Sequence, residues 1–181
     1  MKTGFFIFAF STIALLSTSY FFWKKKSNNI TPQLDENYKK ELIDKLIIAF
    51  ADEWMASYQY WVAAKLVQDA KTPKIAAELT EHSQDEMRHA NLIAKHLIEL
   101  GGDFRMFPQD WHKIGNCHYD SITDVHAISV LKENIKGEQC AIDFYQDLLN
   151  MSKEKDKRTY DIVLEIFNDE VKHKQDLEKL L

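Results

Sequence analysis

Residues 81–100 read EHSQDEMRHANLIAKHLIEL and residues 158–177 read RTYDIVLEIFNDEVKHKQDL. In both, apolar or small residues recur at helical spacing: Ser83, Ala90, Ile93 and Leu97 in the first, Val163, Ile166 and Leu177 in the second. Each stripe is interrupted by an acid and, three residues later, a histidine: Glu86-x-x-His89 and Glu170-x-x-His173. Residues three apart share one helix face, so both pairs point where the apolar residues point. With 13 glutamates and 7 histidines in 181 residues, about half an E-x-x-H is expected by chance. Two copies, both on inward faces, exceed that.

Working outward, four long amphipathic helices emerge. The first spans residues 35–69, with Ile43, Leu46, Phe50, Ser57, Trp61 and Ala64 on one stripe. The second spans 73–100, opened by Pro73 in its first turn and stopped by Gly101-Gly102; Ala76 and Leu79 extend its stripe. Residues 103–121, DFRMFPQDWHKIGNCHYDS, lack helical periodicity and are too long for a tight turn. Such a segment crosses the length of a bundle and leaves the second and third helices parallel. The third helix spans 122–151, with Leu131, Ile135, Ile142, Tyr145 and Leu149 inward; after a polar turn the fourth runs from Arg158 to the end. Five glycines and three prolines agree with long helices and few turns. The expected fold is all-α, a four-helix bundle with one long crossover. Two cysteines exclude a disulfide-rich scaffold or a CxxC…CxxC metal module.

The N-terminus is a separate segment. From Gly4 to Trp23 the chain is uncharged and mostly apolar, and Lys24-Lys25-Lys26 follow at once. A run of that length can span a bilayer as a hydrophobic helix, and by the positive-inside rule the lysines hold the following domain in the cytoplasm. The alternative is a cleaved signal segment and export. The expected organisation is an anchor or signal over 1–26, a linker over 27–34 and the bundle over 35–181. The net charge is −5, but residues 1–31 carry four lysines and no acid. The remainder has 23 − 4 = 19 basic against 28 acidic side chains, or −9. A domain so acidic favours cations over nucleic-acid phosphate.

The other two helices carry an interruption as well: Glu53 in step with Phe50 and Ser57, Glu138 between Ile135 and Ile142. The spacings repeat. The interval from Glu53 to Glu86 matches that from Glu138 to Glu170 to within one position. The intervals from Glu86 to Glu170 and from His89 to His173 are identical, and that from Glu53 to Glu138 differs from them by one. Isolated buried carboxylates cost several kcal/mol each and are normally absent or protonated. Four converging in one core need a compensating charge, which two divalent ions supply, with two imidazoles completing the coordination. Carboxylate and imidazole donors without thiolate suit Fe(II) or Mn(II), with zinc also possible.

These residues, with ADEWMASYQYW around Glu53, HSQDEMRHA around His89, EQCAIDFY after Glu138 and RTYDIVLEIFNDEVKH near the end, resemble the ferritin-like di-iron carboxylate superfamily. Within it they are similar to the Dps-like ferritins called thioferritins. The resemblance covers about residues 35–181. It implies a ferroxidase that oxidises Fe(II) with hydrogen peroxide or O₂, for iron storage and protection from oxidative stress. It implies Glu53 and Glu138 as terminal ligands, Glu86 and Glu170 as bridges, and His89 and His173 as nitrogen ligands of two Fe ions. All six lie in one chain, as in bacterioferritin and unlike typical Dps proteins. A homo-oligomeric, twelve-subunit shell follows by analogy.

Cys140 points about 160° away from Glu138 on an ideal helix, a poor position for a metal ligand. It faces the side where the crossover would lie, which could bring Cys117 near; two unrelated buried thiols are the alternative. Thioferritins place a redox-active cysteine pair near the metal centre, and the resemblance implies that Cys117 and Cys140 are that pair. His82, one turn before Glu86, reads foremost as a satisfied core histidine, with a supporting role toward the ligands as the alternative. His96, His112, His118 and His126 show no ligand spacing. Trp54, Tyr58, Tyr60 and Trp61 read as core, with electron donation by one of them as the alternative. Asp85 and Asp169 are expected to face water or a neighbouring helix. Two other functions compete: a membrane-bound, rubrerythrin-like peroxidase or oxidase without a shell, and a non-enzymatic helical interaction module.

Overall fold

The computed structural model describes residues 34–68, 72–118 and 121–181. The apolar run at 4–23 and its expected anchor lie outside them, as does all but Leu34 of the expected linker. Among the described residues no helix is long and apolar enough to cross a membrane. Four long helices form the described part: α1 (Glu36–Leu66), α2 (Thr72–Leu100), α4 (Ala127–Ser152) and α5 (Lys157–Glu178). The crossover holds a 3₁₀ turn, Pro108–Asp110, and the one-turn α3, Trp111–Ile114.

Local chemistry sets the ends. Asp35 caps α1, its Oδ1 accepting the Asn37 and Tyr38 amides at 3.1 and 3.0 Å. Asp156 caps α5 through the Arg158 and Thr159 amides. α2 closes with Gly101 at φ 78°, a conformation that favours glycine. The Gly102 amide donates to Leu97 O at 2.8 Å and the Gly101 amide to Ile98 O at 3.1 Å, a Schellman closure.

Side-chain pairs fix the directions. Tyr60 of α1 meets Glu138 of α4 and Tyr145 of α4 meets Glu53 of α1, so α1 and α4 are antiparallel. His96 reaches Thr159 and His89 reaches Asp169, so α2 and α5 are antiparallel. Glu53 lies by His89 and Tyr60 by His82, so α1 and α2 are antiparallel too. α2 and α4 are therefore parallel, as the long crossover requires. At the far end the Gln68 amide donates to Val125 O at 2.9 Å.

The core is divided in two. One apolar cluster holds Leu42, Leu46, Ile93, Leu97, Leu148 and Ile166; the other holds Ala63, Ile75, Leu79, Val130, Leu131 and Leu177. On every long helix the acidic interruption falls between the two. The stripe expected of the fourth helix is buried throughout, and that of the second is buried except for Ala76, which is partly so; on α4 Leu131, Tyr145 and Leu149 are buried, whereas Ile135 and Ile142 are only partly covered. The stripe of α1 is met only in part: Leu46 and Ser57 are buried, but Ile43, Phe50 and Ala64 are partly covered and Trp61 is 53% exposed, and the buried positions also include Tyr38, Leu42, Ala49, Ala51, Glu53, Met55, Tyr60 and Ala63. Residues 41–67 are apolar on nearly every side, so spacing alone does not single out the face. α4 begins at Ala127 rather than 122, because the Asp124 side chain takes the His126 amide and the Ser129 hydroxyl, at 3.0 and 2.6 Å. Leu42, fully buried on α1, distinguishes this orientation from the stripe expected by spacing. Leu42→Ala is expected to lower unfolding free energy by roughly 2–5 kcal/mol, with Trp61→Ala costing less; urea denaturation midpoints check the order.

Candidate metal centre

All six expected residues meet in the polar layer between the two clusters. Glu53, Glu86, His89, Glu138, Glu170 and His173 are each at most 3% exposed. They form two overlapping groups, Glu53, Glu86, His89 and Glu170 on one side and Glu86, Glu138, Glu170 and His173 on the other. Within each group, one donor atom from every residue lies within 4.8 Å of the others. Glu86 and Glu170 belong to both; Glu53 and Glu138 each belong to one.

The chemistry within each group is short of positive charge. His89 Nδ1 has Glu170 Oε1 at 3.0 Å, Glu86 Oε2 at 3.1 Å and Glu53 Oε2 at 3.3 Å. His173 Nδ1 has Glu86 Oε1 at 3.1 Å, Glu170 Oε2 at 3.5 Å and Glu138 Oε1 at 3.8 Å. A single imidazole nitrogen can donate one hydrogen bond, not three. Accordingly Glu53 Oε2, Glu86 Oε1, Glu138 Oε2, Glu170 Oε1 and His173 Nδ1 are buried without an aligned hydrogen-bond partner. Orphaned buried acceptors of this kind are costly, and two divalent cations among oxygen and nitrogen donors would satisfy them.

Protonation without metal follows from the same crowding. Burial, with Glu170 and Glu86 nearby, raises the pKa of both Glu53 and Glu138 well above the usual carboxylate range. Burial alone would lower the two histidines. The carboxylates against each Nδ1 outweigh it, driving His89 far upward and His173 up to about 11. Burial would raise Glu86, but its position between both imidazoles outweighs that and pulls it down.

A further layer of contacts was not legible as such in the sequence. His89 Nε2 faces Asp169 Oδ2 at 3.2 Å and His173 Nε2 faces Asp85 Oδ2 at 3.3 Å, each aspartate coming from the opposite helix. A carboxylate behind the far nitrogen fixes ring orientation and leaves Nδ1 for a metal. Arg88 binds Asp169 and also Glu165 at 2.8 Å. Tyr145 donates to Glu53 Oε1 and Tyr60 to Glu138 Oε1, leaving the Oε2 atoms for the centre. Burial raises both phenols well above their ordinary value, so they remain donors. The interval from Tyr60 to Tyr145 equals that from Glu53 to Glu138; this shared spacing was the available signal. His82 departs from the satisfied core histidine expected. It is buried, and neither nitrogen has an aligned hydrogen-bond partner among the described residues; Glu78, one turn back on α2, comes within 3.5 Å of Nε2.

The crossover covers the α1–α4 side. Cys117 and Cys140 form a disulfide closing a separation of 23 residues. Asp52, next to Glu53, accepts the Cys117 and Asn116 amides at 2.9 and 3.1 Å, and burial lifts its pKa to about 6. Gly115 passes so close that a Cβ there would strike Met55 and Asp52. Beneath lies a cavity of about 50 Å³ lined by residues including Asp52, Cys117, Glu53, Glu138, Glu86 and Glu170. That volume admits a water-sized molecule.

A family model described as a ferritin-like domain matches residues 43–181. The chain belongs to the ferritin-like family. It is similar to the dodecameric thioferritin of Bacteroides fragilis, a bacterioferritin-related protein. The two are 41% identical over 81% of this chain and 85% of that one, with a TM-score of 0.77. The DNA protection during starvation protein of Pyrococcus furiosus is 25% identical over 143 residues, 78% of this chain and 77% of the relative. Dps from Thermosynechococcus elongatus, at 16% identity, shares the fold over 80% of this chain and 92% of that one, with a TM-score of 0.75. This is a Dps-like member of the ferritin-like family, with the iron-binding function that membership carries.

In the metal-free protein, burial and the neighbouring carboxylates push Glu53, Glu138 and the two imidazoles toward their protonated forms, where cations would bind. Loading Zn(II) is therefore expected to release roughly two to four protons per chain and to tighten as pH rises. Calorimetry in two buffers of different ionisation enthalpy checks this; heats independent of buffer would contradict it.

Proposed function

We propose that this chain is a ferroxidase with an intra-subunit di-iron site, holding iron safely and consuming oxidant. The observation that carries the reading is the pair of overlapping groups that share Glu86 and Glu170. Two cations set side by side there would each receive one private carboxylate, one imidazole and the two shared glutamates. Glu53 and Glu138 are the private, terminal ligands, and His89 and His173 the nitrogen donors. Asp169 and Asp85 hold the imidazoles in place from behind.

Fe(II) is the substrate. Two Fe(II) and one hydrogen peroxide, with two protons, yield two Fe(III) and two waters; with O₂ the same two electrons and two protons yield hydrogen peroxide. Placing both electrons at one point avoids one-electron cleavage of peroxide to hydroxyl radical. The surrounding residues support that step. The apolar clusters on either side exclude bulk water, and the phenols of Tyr60 and Tyr145 steady the terminal carboxylates. The cavity under the disulfide offers a small oxidant a place against Glu53 and Glu138. Cys117 and Cys140 then stand beside the oxidant as a redox pair, the role the thioferritin resemblance gives them.

A dodecameric shell is the assembly proposed, on the strength of the 41% identity to the dodecameric Bacteroides fragilis protein. Replacing Glu86 and Glu170 together by Ala removes both shared ligands. The double variant is expected to lose Fe(II) oxidation, read as the near-ultraviolet rise of ferric iron after peroxide addition, and to bind no iron pair. Oxidation at the wild-type rate would refute the assignment.

A further inference from the structure

One buried group has no place in the proposed centre. His82 is 1% exposed, and neither ring nitrogen has a hydrogen-bond partner among the described residues. A histidine kept for packing alone normally donates from one nitrogen to a carbonyl or hydroxyl. This one instead stacks on His173, ring centroids 4.1 Å apart, and meets Tyr60 edge-on. It belongs to two groups of potential ligands. Inward it clusters with Glu138 and His173; outward it clusters with Glu78 and Asp176.

The outward group is built from two helices. Glu78 precedes His82 by one turn on the same face of α2, with Glu78 Oε1 3.5 Å from His82 Nε2. Asp176 comes from α5. Side-chain exposure falls from 26% at Glu78 and 20% at Asp176 to 2% at His82, so the three descend from the surface to the buried layer. The internal repeat sharpens the point. Shifted by the interval that relates Glu86 to Glu170, Glu78 and His82 become Ile162 and Ile166, and Asp176 becomes Leu92. Where one half of the bundle has ordinary apolar residues, the other half has two acids and an unsatisfied imidazole.

We propose that Glu78, His82 and Asp176 form a third divalent-cation site, through which metal passes between solvent and the buried pair. Two carboxylates and one imidazole balance a dication and leave positions for water, a donor set for Fe(II), Mn(II) or Zn(II). Lys179 and Lys172 lie against Asp176 at 2.8 and 3.8 Å, but both ammonium groups are largely in solvent, and a dication displaces them. The stacked rings of His82 and His173 put the third site one imidazole away from the second position of the pair. The route is one-sided, since the matching positions on the other side are apolar. The proposal rests on the paired centre for its destination and on Glu78, His82 and Asp176 alone for its ligands.

Anaerobic titration of the metal-free full chain with Co(II), followed by calorimetry and visible absorption, tests it. The wild type is expected to bind three equivalents, two tightly and one more weakly. The partly exposed variant Glu78→Gln/Asp176→Asn is expected to lose the weak equivalent and keep the two tight ones, which also show that it folds. If the double variant binds no metal, the single variant Asp176→Asn decides by the same loss of one equivalent. Two equivalents in the wild type, or a third that survives in the variants, would overturn the site. One equivalent in the wild type, absent from the variants, would uphold it while refuting the paired centre.

Discussion

Four carboxylates face one another across the middle of a helical bundle, and the rest of the molecule is arranged around the need to tolerate them. An unpaired buried carboxylate costs of order several kcal/mol. The chain brings four together with only two imidazoles between them. The surrounding contacts leave the deficit in place. Each phenol satisfies one oxygen of a terminal glutamate and leaves the other turned to the centre. Asp169 and Asp85 occupy the far nitrogens of the histidines and leave the near ones for the same purpose. A layer meant for apolar packing would use none of these groups; a layer meant for cations needs all of them.

Much of this could be read from the residues. The Glu86-x-x-His89 and Glu170-x-x-His173 pairs, with Glu53 and Glu138 at matching intervals, name the six residues that meet in the polar layer because one repeat interval maps the first helical hairpin onto the second. Caps and stops, such as Asp35 and Gly101, mark helix ends through local bonds that depend on near neighbours alone. What escaped depends on partners distant in sequence. Trp61 looked inward because α1 is apolar on nearly every side, and only packing against α2 and α4 chooses its face. The contacts of Asp169 and Asp85 with the far nitrogens of His89 and His173 cross between α2 and α5, which no local pattern on either helix announces. The later start of α4 comes from side-chain bonds of Asp124 that compete with helix formation.

The crossover makes the parallel arrangement of α2 and α4 possible and also covers the α1–α4 side of the centre. Its attachment is specific. Asp52 grips the backbone at Asn116 and Cys117, Gly115 permits the close approach, and the Cys117–Cys140 disulfide ties the strap to α4. A loop of that length closed by a disulfide gains about 3 kcal/mol in the chain-entropy picture. Asp52 and Glu53 are adjacent in sequence, so the residue holding the strap and a residue of the centre share one helical turn. The redox state of the strap and the filling of the centre are thereby set side by side.

The central claim is that this layer holds two metal ions within one chain. Anomalous diffraction at the iron edge, from crystals loaded anaerobically with Fe(II), addresses it directly. Two peaks are predicted per chain, one among Glu53, Glu86, His89 and Glu170 and the other among Glu86, Glu138, Glu170 and His173, about 3.5–4 Å apart. An absence of peaks between the four helices, or iron held only where two chains meet, would contradict it.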